Sequence, residues 1–278
     1  MKLLKYAKLP WKLLATLRNP WVYLGNRLGL FQKPFTYCLW NGLLIKSRPF
    51  TTERSVLNDV WFDLSYEPNA FGIPFDWKQC RTIVDIGANI GTFTLYAASR
   101  APHARIISFE PEPSNAELLR ENIRSNHCEN RIHVESTALG SKEGIRTLFV
   151  SERGSGGHSF FRHTEKSHAI TVPTTTLSAA FEKLQIYHCD FLKVDCEGAE
   201  EEILRSLPST ILERIDFIAL EEHCFAKNHP RDETLKEFLQ GHGFTITPHR
   251  KSMFFAQRIA PLRREASPRT VSSHAHLT

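Results

Sequence analysis

The sequence predicts an α/β domain built on a central, mostly parallel sheet that closes with an antiparallel hairpin. Three observations carry this expectation. From about Thr82 onward, short apolar runs alternate with helical patterns. One of these runs, TIVDIG, ends in a glycine-rich turn that opens directly into a helix. Near the end of the chain two strand-like runs, FTITP and SMFFAQR, are joined only by His249, Arg250 and Lys251. Parallel strands need a long crossover, so these two must be antiparallel.

The elements follow in order. TIVDIG is the first buried strand, and Thr92 to Arg100 is a helix closed by Pro102. ARIISFEP is a second strand, followed by a helix from Ser114 to Asn126 with Ser114 as its N-cap. RIHVESTALG gives a third strand, Gly144 to Glu152 an extra one, and SERGSGGHSFFRH a glycine-rich loop. Leu177 to Leu184 is helical, DFLKVDCEG is a fourth strand, and Ala199 to Leu207 is a helix ended by Pro208. DFIALEEH is a fifth strand, a helix runs from about Asp232 to Gln240, and the hairpin closes the domain.

Charge divides the chain into three parts. Residues 1–54 carry ten Lys or Arg against one acid, and residues 258–278 carry four against one, leaving 21 basic and 28 acidic residues in 55–257. The net charge of +5 therefore sits at the ends, and the acidic middle argues against a nucleic-acid partner. We read 1–54 as a basic amphipathic extension, 55–257 as the folded domain and 258–278 as a disordered tail. In the extension, Leu3, Leu4, Ala7, Trp11 and Leu14 share one helical face, opposite Lys2, Lys5, Lys8 and Lys12, although Pro10 would split the helix. Two readings stand: residues 1–32 touch an anionic membrane from its inner face, or the extension packs on the domain as a cap. No apolar run reaches the ~20 residues of a membrane span, and no signal-peptide core follows the lysines. The six cysteines are scattered without a CxxC pair, which suits a reducing cytoplasm better than a disulfide scaffold.

The motif with most chemical content is Val84-Asp85-Ile86-Gly87-Ala88-Asn89-Ile90-Gly91. Gly87 allows a tight turn, Gly91 allows close approach of backbone and ligand, and Asp85 could hold the amino group of an amino-acid-bearing ligand. Asn89 and Thr92 stand where the dinucleotide fingerprint places glycines, so a nicotinamide cofactor fits less well. Glu110, one βα unit later, is placed to accept hydrogen bonds from both ribose hydroxyls of a nucleoside; its alternative is a simple helix-start charge. Asp195 and Glu197 in KVDCEGAE fall at the carboxyl edge of the fourth strand, where open α/β sheets bind ligands. Glu201 and Glu202 only load a helix N-terminus.

Together VDIGANIGTFTLYAA, SFEPEPSNAELLRENI, STALGS, GSGGHSF, VPTTTLSAAF, DFLKVDCEGAEEEIL and FIALEEH resemble the FkbM family of methyltransferases, from roughly Thr82 to Gln257. The resemblance implies a Rossmann-like seven-stranded class I methyltransferase sheet behind a helical N-terminal extension. It implies S-adenosylmethionine as cofactor and O-methylation of a hydroxyl on a sugar, glycolipid or polyketide, with no metal. Asp85, Gly87, Ala88, Asn89, Gly91, Glu110 and Ala138 become the expected cofactor contacts. Ser178 and Ala179 depart from the family, which shows two acids there, so no role tied to those acids is carried over.

For removal of the acceptor proton, Glu197 stands first as base, Asp195 as the positioning group and His223 as the competing base, because imidazole titrates near neutrality. His158 in the glycine loop is placed to help cover the site. The other histidines, His163, His168 and His229, show no metal-ligand spacing, and Glu221 with Glu222 would face opposite ways on a strand. Two other functions remain open at this level: a nucleotide-fold binding protein without turnover, and a nicotinamide-dependent oxidoreductase. Neither the acceptor nor the oligomeric state is legible.

Overall fold

Period-2 alternation builds the centre of the protein. Val84, Ile86, Leu192 and Val194 enter one hydrophobic cluster, while Ile83 and Phe191, from the same two strands, enter another on the opposite face. Strands buried on both faces read as continuous apolar runs, which is why TIVDI and FLKV look as they do. A computed structural model describes residues 9–151, 159–160, 167–223, 234–250 and 252–260. It opens with helices α1 (Leu9–Thr16) and α2 (Pro20–Arg27) and a hairpin of β1 (Phe35–Cys38) and β2 (Leu44–Ser47). A short helix α3 (Glu53–Leu57) continues as a π-helical turn over Asn58–Phe62. The domain proper runs β3 (Thr82–Ile86), α4 (Thr92–Arg100), β4 (Arg105–Phe109), α5 (Pro113–Ser125), β5 (Ile132–Glu135), β6 (Ala138–Gly140), β7 (Gly144–Ser151) and β8 (Ser167–Thr176). It ends with α6 (Leu177–Lys183), β9 (Phe191–Val194), α7 (Glu200–Arg205), α8 (Ser209–Leu212), β10 (Phe217–Glu221), α9 (Leu235–Gly241), β11 (Phe244–Pro248) and β12 (Met253–Arg258).

The seven-stranded sheet has the order β11-β12-β10-β9-β3-β4-β5. Strands β10, β9, β3, β4 and β5 are parallel, and β12 pairs antiparallel with both β10 and β11. The closing hairpin thus slides its second strand between β10 and β11, as the short 249–251 connection required. From β3 the chain winds outward through β4 and β5, then returns to lay β9 on the other flank. The carboxyl ends of β3 and β9 therefore form the crevice where such sheets take ligands.

Several details differ from the sequence expectation. RIHVESTALG splits: β5 joins the main sheet, whereas β6 joins β8 and β7 in a separate three-stranded sheet. The N-cap of α5 is Glu112, not Ser114; its carboxylate accepts from the amides of Ser114 and Asn115 at 3.0 and 2.6 Å. The extension is helical only in part, since it also holds the β1–β2 hairpin.

Within the described residues the extension packs on the domain. Leu13, Leu17, Tyr23, Tyr37 and Ile45 share a buried cluster with Leu57, Phe62, Ile90, Leu95 and Leu118, each such side chain contributing about 1.5–3 kcal/mol of apolar burial. Lys12 donates to Asp63 at 2.6 Å. Pro10 sits in the first described turn of α1, where no intrahelical N–H is required, and the residues before Leu9 lie outside the described part. Leu3, Leu4, Ala7, Lys2, Lys5 and Lys8 lie outside the described residues, as do 261–278 of the tail. No described helix is long and apolar enough to cross a membrane.

Candidate active site

At the carboxyl ends of β3, β4, β9 and β10 lies a cavity of about 350 Å³, lined at one end by Gly87, Ala88, Asn89, Glu110 and Ala138 and at the other by Tyr66, Asp195, Glu197, Glu221 and His223. The first end is made by the turn after β3. The amides of Gly87 and Ala88 both donate to the carbonyl of Phe109, tying the turn to β4. Gly87 has φ +76°, and a Cβ there would meet the carbonyl oxygen of Asp195 at 1.8 Å, so only glycine lets the two strand ends approach. Gly91 is placed differently. It does not line the cavity; it begins α4 with φ +90°, and a Cβ there would run into Leu119 at 2.5 Å. Its positive φ and the adjoining Leu119 both favour glycine there.

Glu110 is buried and accepts from the amides of Asn89 (2.7 Å) and Glu112 (3.0 Å). Burial pushes its pKa up to about 7 in spite of those two donors. Asn89, in the left-handed region at φ +52°, buries its Oδ1 with no hydrogen-bond partner among the described residues. Asp85 is fully buried beneath the cavity and does not line it. One carboxylate oxygen accepts from Thr94 Oγ1 at 2.6 Å, and the other lies 3.1 Å from Lys193 Nζ. Lys193, the only charged residue of β9, also donates to the Gly87 carbonyl at 2.9 Å and lies 3.5 Å from Asp195 Oδ2. Burial would lower its pKa, but the Asp85 and Asp195 carboxylates hold it above the ordinary lysine value. Asp85 thus reaches the site through Lys193.

The second end is acidic. Tyr66 donates to Asp195 Oδ2 at 2.8 Å, with Glu221 Oε2 at 3.5 Å. Burial first, and then Asp195 and Glu221, hold the Tyr66 hydroxyl well above its usual pKa, so it stays a donor. Glu197 occupies the left-handed region at φ +57°, a conformation costing a non-glycine residue about 1–3 kcal/mol. The turn is held by Glu200, whose buried carboxylate accepts from the amides of Cys196 (3.1 Å) and Gly198 (3.0 Å). Ser159, the end of the glycine-loop motif that is described, adds a hydroxyl bond to the Glu197 carbonyl; His158 lies outside the described residues. The same Glu200 oxygen lies 2.9 Å from His223 Nδ1, while His223 Nε2 lies 3.7 Å from Glu197 and 3.9 Å from Glu221. Burial, reinforced by Asp195, Glu200 and Glu221 against the opposing His223, raises Glu197 to about 8. Burial would lower His223, but Glu200, Glu197 and Asp195 raise it to about 9.

The fold therefore brings Asp195, Glu197 and His223 together, and adds Tyr66, Lys193, Glu200 and Glu221, which sequence reasoning did not place there. A lysine inside the buried run FLKV was the visible signal for Lys193. Glu200 carried no assigned role in the sequence, whereas Glu201 and Glu202, read there as helix-start charges, pair with Arg205 and Arg146. Asp195, Glu221 and His223 each offer a ligand atom within 4.8 Å of the others, a spacing a metal ion could bridge. Lys193 already brings a positive charge to this carboxylate cluster.

The family described as the methyltransferase FkbM domain matches residues 85–246. Methyltransferase 1 of Beauveria bassiana is 27% identical over 187 residues, covering 60% of this chain and 74% of that protein. The 31-O-demethyl-FK506 methyltransferase FkbM of Streptomyces tacrolimicus is 25% identical, covering 64% and 77%. The hexuronic acid methyltransferase AglP of Haloferax volcanii is 26% identical over 54% and 58%. Among solved structures, an FkbM methyltransferase of Methylobacillus flagellatus aligns with TM-score 0.43 and 18% identity, over 74% of this chain and 53% of that one.

Proposed function

This chain belongs to the FkbM methyltransferase family, and from that premise we propose that it uses S-adenosylmethionine to O-methylate a hydroxyl of a sugar, glycolipid or polyketide-type acceptor. The carrying observation is that one cavity has two chemically different ends: a nucleoside-type end at Glu110 and an acidic, proton-accepting end at His223. The residues present fit the cofactor. Glu110 keeps lone pairs for the ribose hydroxyls, and the buried Asn89 Oδ1 has no partner within the described protein. When bound, S-adenosylmethionine supplies a methyl group on a positively charged sulfonium, which leaves alignment and removal of the hydroxyl proton to the protein.

Asp195 and Glu221 accept hydrogen bonds and offer more lone pairs to a polyol, and the same carboxylates repel an anionic acceptor. Sequence put Glu197 first as base; the side-chain arrangement favours His223. A buried carboxylate beside Nδ1 fixes the imidazole so that Nε2 faces the cavity, the arrangement of a general base with its orienting acid. Glu197, beside Nε2, holds the acceptor hydroxyl, and Glu200 is a positioning residue. Among the relatives, the name 31-O-demethyl-FK506 methyltransferase supports O-methylation, whereas the hexuronic acid methyltransferase makes uronates a needed arm of the acceptor panel. Transfer of labelled methyl from S-adenosylmethionine to a panel of neutral glycans, glycolipids, uronates and polyketides tests the reading. Label on neutral hydroxyl acceptors is expected; label confined to uronate carboxylates or amines would overturn it.

A further inference from the structure

The two N-terminal helices dock by one stripe and leave the other outward. On α1, Leu13 and Leu17, at its end, are buried, whereas Trp11 is 77% exposed and Leu14 is exposed beside it one turn on. On α2, Tyr23 is buried, whereas Trp21, Leu24 and Leu28 form an exposed stripe with i, i+3, i+7 spacing, Trp21 at 67% and Leu28 at 72%. Trp40, also exposed, donates its indole N–H to the Leu14 carbonyl at 2.8 Å and so stands against the α1 stripe. Among the described residues, nine of the twelve exposed large hydrophobic side chains fall between Trp11 and Phe50. That concentration is far from the scattered apolar exposure of an ordinary surface.

Charge identifies the occupant. The segment that carries the stripes has ten basic residues against one acid up to position 54; that acid, Glu53, is buried against Ser47 and Arg48, and Lys12 and Lys46 pair with Asp63 and Glu121 of the domain. Arg18 and Lys33 are exposed beside the apolar stripes. Two such faces would repel one another, which disfavours a second copy. Tryptophan, leucine and basic side chains in one amphipathic layer match the water–lipid interface. The chain leaves this layer at Phe50 and enters Thr52, Ser55, Val56 and Asp59, which line the cavity.

We propose that this face lies on an anionic lipid bilayer, with α1 and α2 in the interface plane and the cavity mouth beside the headgroups. The surface does not depend on methyl transfer, so its test needs no turnover. The full chain is sedimented with vesicles of phosphatidylcholine alone and of equimolar phosphatidylcholine and phosphatidylglycerol, at low and high salt. Binding is expected only to the anionic vesicles, falling by about tenfold or more at high salt. The combined variant Trp11→Ser, Leu14→Ser, Trp21→Ser, Leu28→Ser should lose binding with an unchanged melting temperature, because all four side chains are exposed. Arg18→Glu with Lys33→Glu should weaken it independently. Equal recovery in the supernatant with both vesicle types, wild-type binding by the serine variant, or a solution dimer that the serine variant dissociates would each overturn the proposal.

Discussion

Gly87 and Asp195 meet backbone to backbone between the two ends of the cavity: a Cβ on Gly87 would sit 1.8 Å from the Asp195 carbonyl oxygen. The turn after β3 and the turn after β9 are therefore packed backbone to backbone. Gly87→Ala must both adopt φ +76° and push the β9 turn away. It is expected to cost at least about 1–3 kcal/mol of stability and to abolish cofactor binding. Thermal melting together with calorimetry checks this, and a variant that melts and binds like the wild type would refute it. Gly91→Val should also lower the melting temperature, through Leu119.

Glu110→Gln keeps the size of the side chain while removing its charge. If the carboxylate holds ribose hydroxyls, affinity for S-adenosylmethionine should fall by about 1.5–3 kcal/mol, roughly 10–150-fold. Because burial raises Glu110 to about 7 and hydroxyl donors favour the ionised form, wild-type affinity should increase as pH rises through 7. The variant should lose that dependence. A dissociation constant flat with pH in both proteins would return Glu110 to a purely structural role.

His223→Asn is expected to retain cofactor binding and lose turnover by about 10²–10⁴-fold. A base must be unprotonated, so with His223 raised to about 9 the wild-type kcat/KM should climb with pH and level off above that value. Glu200 is one cause of the raised value, so Glu200→Gln should reduce kcat and move the rising limb to lower pH. Turnover kept in His223→Asn but lost in Glu197→Gln would make Glu197 the base.

A separate cluster gives a prediction about stability. His188 Nε2 lies 2.9 Å from Asp216 Oδ2 and 3.6 Å from Asp190 Oδ1, at the amino ends of β9 and β10. The Asp190 and Asp216 carboxylates raise His188 to about 9 from 6.5. The folded value lies above the unfolded one, so the stabilisation is complete below about 6.5 and is lost as pH rises towards 9. Solvent screening of this partly exposed group reduces it to about 1 kcal/mol. Urea melts of wild type and His188→Gln should differ at pH 6 and converge at about pH 9; a constant difference would contradict the assignment.

The legible parts were those with a local cause. VDIGANIG could be read as a strand, turn and helix because Gly87 and Gly91 both adopt positive φ. FTITP and SMFFAQR could be read as a hairpin because their connection is too short for anything else. The β1–β2 hairpin was missed although Asn41-Gly42, with Gly42 at φ +91°, is a strong turn signal; the basic helical pattern before it masked it. β8 was missed because its first half is polar and Pro173 lowers any strand reading. It forms nonetheless by pairing with the whole of β7.

By itself the sequence determined the sheet, its closing hairpin, the two ligand-facing turns and the identity of the acids at the strand ends. Each rests on backbone conformation and side-chain period, which neighbours in the chain dictate. Only the tertiary structure decided that Glu200, among the glutamates of KVDCEGAEEE, meets His223, a contact across 23 positions set by how β9 and β10 lie side by side. It also decided that Asp85 lies buried against Lys193 and that α1 turns Trp11 outward. The reason is the same in each case: a periodic pattern names two faces, but which face is buried depends on the surface it meets, and that surface is assembled from distant parts of the chain.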